Sequence, residues 1–506
     1  MLAAAALRLP ALGASPLWLD ECASVETAQA VARSSWGTVA GALSRGLSTY
    51  FLLLAPWVGE PVVEWAVRLP SALAGIALVP IAWLLGLQVA GRPLAWRLGL
   101  AMAASPFFVW HSREARWYTL TCLLAGLGAV GFVRALRGQS FRDLVGCIGF
   151  GLAAATTYSP AVMLLAIQLG WIAAARWQEG GREDAPSPAR LRRPPGRALL
   201  LAALAAIGFA WLWVALLSPA LRGGARGFGF SNLGGPSLGA VLYTPVALAT
   251  GYTIGPGPLE WHARPVRLPA QPEGAVMLLA VSVMLGLLAL GARTLAATGG
   301  RRQVAALLSL GLLPPCSVVL AGLWTDHRFA PRHAGMSFLY LLCVAAAGTM
   351  APGAGRRLGA ALGAMLLAAQ SFSVFNLHTS TRYHREDVRS AAQYVAQAAG
   401  SADQVLIFGG LGLPWKRYYS GEAPWDEIAT EGSRRWSREQ VVDRARGARE
   451  VFVVRGLILG NDGEVPLLRA VDEVTEPIER RAFTAVEVSR RRVSPGGARP
   501  EEPTEP

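Results

Sequence analysis

Two clusters of ionisable residues sit where a largely apolar chain turns polar. Their residue types point to acid–base and phosphate chemistry. Asp20 and Glu21 follow the short apolar run that ends at Trp18-Leu19. A carboxylate in partly dehydrated surroundings gains basicity, as a general base for a hydroxyl or amine nucleophile requires. Neighbouring residues leave a regular helix in different directions, so one carboxylate can serve chemistry while the other binds or orients. Glu26 is a third carboxylate close by and ranks below them. The second cluster is His111-Ser112-Arg113-Glu114-Ala115-Arg116-Trp117-Tyr118. Arg113 and Arg116 have the spacing of one helix face. Their guanidinium forks suit a phosphate oxyanion, binding it and stabilising charge on a departing one. Glu114 and Tyr118 would support them. A third group, Asp326-His327-Arg328 with Arg332-His333, offers a further phosphate contact through Arg328 or Arg332. A metal held by Asp326, His327 and His333 is the weaker use of the same residues. Each cluster has a plainer reading: solvated loop carboxylates for the first, an interfacial Arg/Trp/Tyr belt for the second. Tyr243, Tyr252 and Trp261 either stack on a sugar or pack at an interface.

What must position these clusters is a set of membrane helices. The 506 residues are 53% hydrophobic and 16% charged, where a soluble chain carries about 25% charged residues. The net charge of +14 would suggest nucleic acid in a soluble protein. Here the arginines fall in short loops between apolar runs, so they set topology and no nucleic-acid partner is expected. The five cysteines, Cys22, Cys122, Cys147, Cys316 and Cys343, are odd in number and, Cys22 aside, lie in apolar runs, as buried small hydrophobes do. Lys416 is the sole lysine.

Met1 to Leu12 is too short to cross a hydrocarbon core of about 30 Å and reads as a truncated first helix or a short one that thins the bilayer. Without a basic n-region it does not read as a secretory signal. Ser24 to Ala42 reads as an interfacial helix, and Thr49 to Trp57 is apolar but short. Spans are expected near 66–90, 97–111, 117–136, 143–157, 160–176, 197–218, 274–293, 303–324, 334–350 and 356–374, which with the first helix makes about eleven. A Gly/Pro-rich loop is expected over 219–273. Loops at 91–97, 134–142, 176–197, 293–302 and 351–357 carry most of the loop arginines and fall on alternate crossings. They lie together in the cytoplasm by the positive-inside rule, which puts Asp20, the His111–Tyr118 cluster, 219–273, 325–333 and the C-terminal tail outside.

From about residue 377 the pattern is that of a soluble domain. Asp387 to Ala399 and Ser437 to Arg446 read as helices, the second with capping-box spacing at Ser437 and Gln440. Gln404 to Phe408, Glu450 to Arg455 and Thr484 to Val493 read as strands. The expected architecture is an α-helical polytopic membrane protein with a transmembrane catalytic domain over 1–376, a small extracytoplasmic α/β domain over 377–493, and a disordered tail over 494–506.

Leu17-Trp18-Leu19-Asp20-Glu21, then Val67-Arg68-Leu69-Pro70-Ser71-Ala72-Leu73-Ala74-Gly75, then Ser105 to Tyr118, resemble the protein O-mannosyltransferase-like branch of the GT-C glycosyltransferases. That branch includes bacterial lipid A aminoarabinose transferases. Arg328-Phe329-Ala330-Pro331-Arg332 continues the resemblance, as do Asp387, Val388, Arg389, Tyr394 and Asp403-Gln404-Val405. The resemblance implies a GT-C fold in the inner or plasma membrane and transfer of a sugar from a polyprenyl-phosphate donor on its outer face. It implies Asp20 as the base of an inverting displacement, with Glu21 assisting, and Arg116 near the donor phosphate, with Glu114 in support. No nucleotide sugar and no cofactor are implied; a divalent metal stays open. The partners it implies are a polyprenyl-phosphate sugar, membrane lipids, and a lipid, glycan or protein acceptor. The chain departs from the pattern where Gly46-Leu47-Ser48 replaces a His-Pro-Pro segment and Arg332-His333 replaces Arg-Tyr. A lipid-linked sugar transporter or flippase, or an inactive envelope scaffold, are the alternative readings. Transporters tend to carry mid-membrane ionisable groups and repeated halves, neither of which is evident here.

Overall fold

The computed structural model describes residues 1–44, 47–138, 140–180, 238–257, 272–325, 329–430, 435–458 and 462–494. It divides into two units. A helical unit comprises Met1–Leu12, Thr27–Gly255 and Leu268–Thr379; the other comprises Gly13–Glu26, Pro256–Arg267 and Ser380–Pro506. The segment bearing Asp20 and Glu21 thus groups with the C-terminal residues.

Among the described residues of the helical unit, five helices are long and apolar enough to cross a membrane: Glu64–Ala90, Tyr118–Leu136, Gly274–Gly299, Arg301–Leu320 and Gly355–Thr379. Phe141–Thr157 and Val162–Gly180 form the expected hairpin. The span expected at 197–218 lies outside the described residues.

Three expectations are corrected. The first is the span at 97–111, which is two helices, Arg92–Ala104 and Pro106–Ser112. Pro106 disfavours helical geometry at Ser105 and cannot donate to the Met102 carbonyl four residues back. Arg8, fully buried in the short helix Leu2–Arg8, takes over that role. It donates to the Met102 carbonyl at 3.2 Å and to the Ala103 carbonyl at 3.0 Å. The second is the span at 334–350, which is a 14-residue helix, Gly335–Gly348, buried at every residue but Leu341. At roughly 21 Å it is a core helix rather than a lipid-facing span. Its neighbours approach to backbone distance: a Cβ on Gly348 would lie 2.2 Å from the Leu287 carbonyl oxygen. The third is the loop at 219–273, which contains a helix, Leu238–Thr250. Upstream, the interfacial helix expected over Ser24–Ala42 is split into Leu19–Arg33 and Trp36–Ser44.

The C-terminal unit is a five-stranded sheet, with β1 Gln404–Phe408, β2 Trp425–Glu427, β3 Glu450–Gly456, β4 Thr475–Phe483 and β5 Val486–Val493 in the order β2-β1-β3-β5-β4. β1 runs parallel to both its neighbours and β5 antiparallel to both of its own. All five residues of β1 are buried, as a central parallel strand requires. Val405 and Ile407 face one apolar layer with Val388, Val395 and Trp415; Leu406 and Phe408 face the other with Val441, Val451 and Val471. Helices Val388–Ala398 and Arg438–Arg446 lie close to their expected limits, and the Ser437/Gln440 capping box is formed. β4 was not expected. It is an edge strand whose charged residues, Glu476, Glu479, Arg480 and Arg481, face solvent, and such a run reads as loop.

Candidate functional site

Arg68, Ser71 and Gly75 lie on one face of Glu64–Ala90 and hold the region of the second cluster. The Ser71 hydroxyl donates to the Arg116 carbonyl at 2.9 Å. Thr119 Oγ1 donates to the Ser71 carbonyl at 2.9 Å, and the Tyr50 hydroxyl lies 3.1 Å from Ser71 Oγ. Gly75 permits close approach: a Cβ there would fall 1.9 Å from Ser112 Oγ. Arg68 donates to the Leu12 carbonyl at 2.9 Å.

Between the helices Pro106–Ser112 and Tyr118–Leu136 the chain turns, so Arg113 and Arg116 do not share a helix face as their spacing suggests. Their side chains are used differently. Arg113 donates to the carbonyls of Arg8 at 3.0 Å, Pro10 at 2.7 Å and Ala11 at 3.1 Å. Its fork is engaged with backbone, which speaks against the phosphate contact expected of it. Arg116, 7% exposed, lies 3.8 Å over the Trp117 ring and 5.6 Å from that of Tyr118. Glu114 accepts from the Trp110 indole at 3.0 Å and pairs with His111 Nδ1 at 3.0 Å; His111 Nε2 lies 3.1 Å from the Tyr252 hydroxyl. This buried string ties Tyr252, which follows Leu238–Thr250, to the turn. Nothing in the sequence separation of His111 and Tyr252 signals their contact.

A small, half-open recess lies beside the turn. Tyr118, Thr121, Tyr158, Arg332 and His333 provide its polar lining, and Cys122 and Met336 its apolar part. Arg332 arrives on the short 3-10 turn Pro331–Ala334, entered from an extended Ala330. The Ala330 amide donates to His333 Nδ1 at 3.2 Å. The His333 ring stacks on Tyr158 with centroids 5.9 Å apart. Tyr158 ends the helix Phe141–Thr157 two residues before Pro160. Next to it, Thr157 Oγ1 lies 2.8 Å from Thr121 Oγ1, and Ser48 Oγ donates to the Thr157 carbonyl at 2.6 Å. The recess therefore brings Tyr118 together with Arg332, whereas Arg116 does not line it. Tyr158 reads in the sequence only as part of a tight hairpin. Arg328, Asp326 and His327 lie outside the described residues, and with them most of the metal reading. No group of three or more His, Cys, Asp or Glu suited to a metal occurs among the described residues.

In the other unit, Asp20 and Glu21 sit in the first turn of the helix Leu19–Arg33, 4% and 1% exposed, rather than in an open loop. The partial positive charge of a helix N-terminus favours carboxylates there. Glu21 accepts from the Trp18 amide at 3.4 Å, and Ser24 Oγ donates to the Asp20 carbonyl at 2.8 Å. Residues of the C-terminal stretch hold the segment. The Leu17 amide donates to the Tyr418 hydroxyl at 2.7 Å, and Arg389 donates to the Ala14 carbonyl at 2.6 Å. The Arg385 guanidinium lies 3.6 Å over the Trp18 ring, and Lys416 pairs with Glu26 at 3.2 Å.

No family model and no curated protein sequence matches the chain. Its structure is similar to that of ArnT, an aminoarabinose transferase from Cupriavidus metallidurans, in the apo state, with a TM-score of 0.54, 11% identity and 96% of each chain covered. It is also similar to the same protein bound to undecaprenyl phosphate, with a TM-score of 0.51, 12% identity and 96% of each chain covered. At these identities the likeness is one of fold. The chain has the architecture of the GT-C glycosyltransferases: a mostly helical membrane protein with a small C-terminal sheet domain.

Proposed function

We propose that the chain is a membrane glycosyltransferase. It moves a sugar from a polyprenyl-phosphate-linked donor to a lipid, glycan or protein acceptor on the extracytoplasmic side of the inner or plasma membrane. The observation that carries this reading is the recess that joins Arg332 to Tyr118 within a GT-C fold. A protein of this fold, ArnT, holds undecaprenyl phosphate, and a guanidinium in a low-dielectric recess suits such a headgroup.

In this reading Asp20 takes a proton from the acceptor hydroxyl or amine as that group attacks the anomeric carbon. The bond from the anomeric carbon to the phosphate oxygen breaks, its electron pair leaves with polyprenyl phosphate, and configuration inverts. Glu21 orients the segment through the Trp18 amide. Arg116 and Arg332 stabilise the charge that grows on the departing phosphate, and Arg328 is a further candidate for that role. Glu114 and Tyr118 support them. Arg113 holds the chain at Arg8 to Ala11 instead.

The test is release of polyprenyl phosphate from a labelled polyprenyl-phosphate sugar by purified protein in proteoliposomes. An enzyme cleaves the donor when acceptor is supplied, and Asp20→Asn stops cleavage without unfolding the protein. A transporter would relocate the donor intact, and an inactive scaffold would do neither. Either outcome overturns the proposal.

A further inference from the structure

The geometry points to Tyr158 as the hydroxyl that, with Arg332, binds the phosphate group of the lipid donor. This deepens the glycosyltransferase reading and rests on it. The Tyr158 hydroxyl oxygen is buried and has no hydrogen-bond partner among the described residues. Buried hydroxyls without partners are uncommon in folded proteins, and each calls for a ligand, a water or a function. This one belongs to a residue lining the same recess as Arg332. A cation and a free O–H donor around one small space are complementary to an anionic oxygen, which accepts from both.

The surroundings favour a phosphate over a sugar. Among the described residues no Asp or Glu lines the recess, whereas sugar hydroxyls need acceptors as well as donors. The donor is also held in place before any ligand arrives. The Tyr158 ring stacks on His333, whose Nδ1 is engaged by the Ala330 amide. The chain beside it is pinned by Thr121 on the Thr157 hydroxyl, by Ser48 on the Thr157 carbonyl and by the bond from the Thr49 amide to the Thr156 carbonyl at 3.0 Å. A hydroxyl placed in this way loses little freedom when it meets its ligand.

The test compares wild type with Tyr158→Phe in the purified full chain, using a short-chain polyprenyl monophosphate as probe and inorganic phosphate as a second arm. Affinity is read by calorimetry and stability by thermal melting. We expect Tyr158→Phe to weaken binding of the polyprenyl monophosphate about 10-fold or more, as loss of a hydrogen bond to a charged group does. The melting temperature should stay the same or rise, because the hydroxyl removed has no partner among the described residues. Competition by inorganic phosphate would place the phosphate itself in the recess; its absence would show that the lipid chain is needed for capture. Equal affinity in wild type and variant would overturn the inference and leave the glycosyltransferase reading standing, as would a clear fall in melting temperature. Wild type that binds neither probe would overturn that reading first.

Discussion

The carboxylate segment and the arginine turn are charged motifs of this chain that are held by different means. Gly13 to Glu26 is fastened by side chains of the C-terminal stretch: Tyr418 on the Leu17 amide, Arg389 on the Ala14 carbonyl, Arg385 on the Trp18 ring and Lys416 on Glu26. The arginine turn is fastened from within the helical unit, by the Ser71 hydroxyl on the Arg116 carbonyl and by the close approach of Gly75 to Ser112. Each motif commits at least one of its charges to anchoring. In the turn, Arg113 is an anchor, because its fork is engaged with three carbonyls. In the segment, Glu21 reaches back to its own helix start. A charged motif of this type therefore gives a set of candidates, and hydrogen-bond commitments sort them.

The largest effect should come from separating the two regions kinetically. Asp20→Asn is expected to lower the rate of polyprenyl phosphate release by about 10²–10⁴, the range for loss of a general base, with donor affinity unchanged. Arg332→Ala should do the reverse in the first instance, raising the donor KM. If both substitutions changed KM alone, the division of labour between the regions would fail. Stability separates helix contacts within one unit in the same way. Gly75→Ala should cost about 1–3 kcal/mol, as overpacking does, because its Cβ meets Ser112 on a neighbouring helix. Gly149→Ala, on a helix but with nothing within 4 Å, should be neutral or stabilising by up to about 1 kcal/mol. Thermal melting of the two variants reads the contrast directly.

A pH titration sharpens the comparison from the side of the C-terminal unit. Burial alone would raise the Asp403 carboxyl, but hydrogen bonds from Arg449 at 3.1 Å and from the Gly400 amide at 2.8 Å outweigh it and hold the group below the usual carboxylate range. A carboxylate lowered on folding adds stability above its unfolded value of about 3.9, and that stability is lost as pH falls through the folded value. Melting temperature should therefore fall with pH below about 4 in wild type, and the fall should be shallower in Asp403→Asn. Parallel curves would remove Asp403 from the acid response.

Long apolar runs made Glu64–Ala90 and Tyr118–Leu136 legible, and the apolar Val405–Phe408 made β1 legible, because burial on all sides leaves that signature. The break at Ser105 was hidden by an apolar run that continues through Pro106, and its cap comes from Arg8, nearly a hundred residues upstream. The same distance concealed the role of Arg113, whose partners are carbonyls that carry no side-chain signal. The three-residue spacing of Arg113 and Arg116 suggested a helix face because spacing says nothing about where a helix stops. Asp20 and Glu21 stood out as a motif, but not as the first turn of a helix held by the C-terminal unit. Tyr158 does not stand out in the sequence: what distinguishes it is a hydroxyl with no hydrogen-bond partner among the described residues, a property that exists only once the chain has folded.

The smallest expected effect bears most directly on the comparison. Tyr418→Phe removes one oxygen, the acceptor for the Leu17 amide, and leaves the ring in place. A single such bond is worth about 1 kcal/mol, so the protein should stay folded with a slightly lower melting temperature. If the C-terminal unit sets the geometry of the carboxylate segment, the turnover rate should fall several-fold while affinity for polyprenyl monophosphate is unchanged. The proposed mechanism gives phosphate capture to the helical unit and base function to the segment that Tyr418 holds. Asp403→Asn is the control, since it perturbs the same unit without touching that segment. A loss of turnover that matched between Tyr418→Phe and Asp403→Asn would mean that activity needs only a folded C-terminal unit. A loss confined to Tyr418→Phe would mean that the unit serves the reaction through its contact with residue 17.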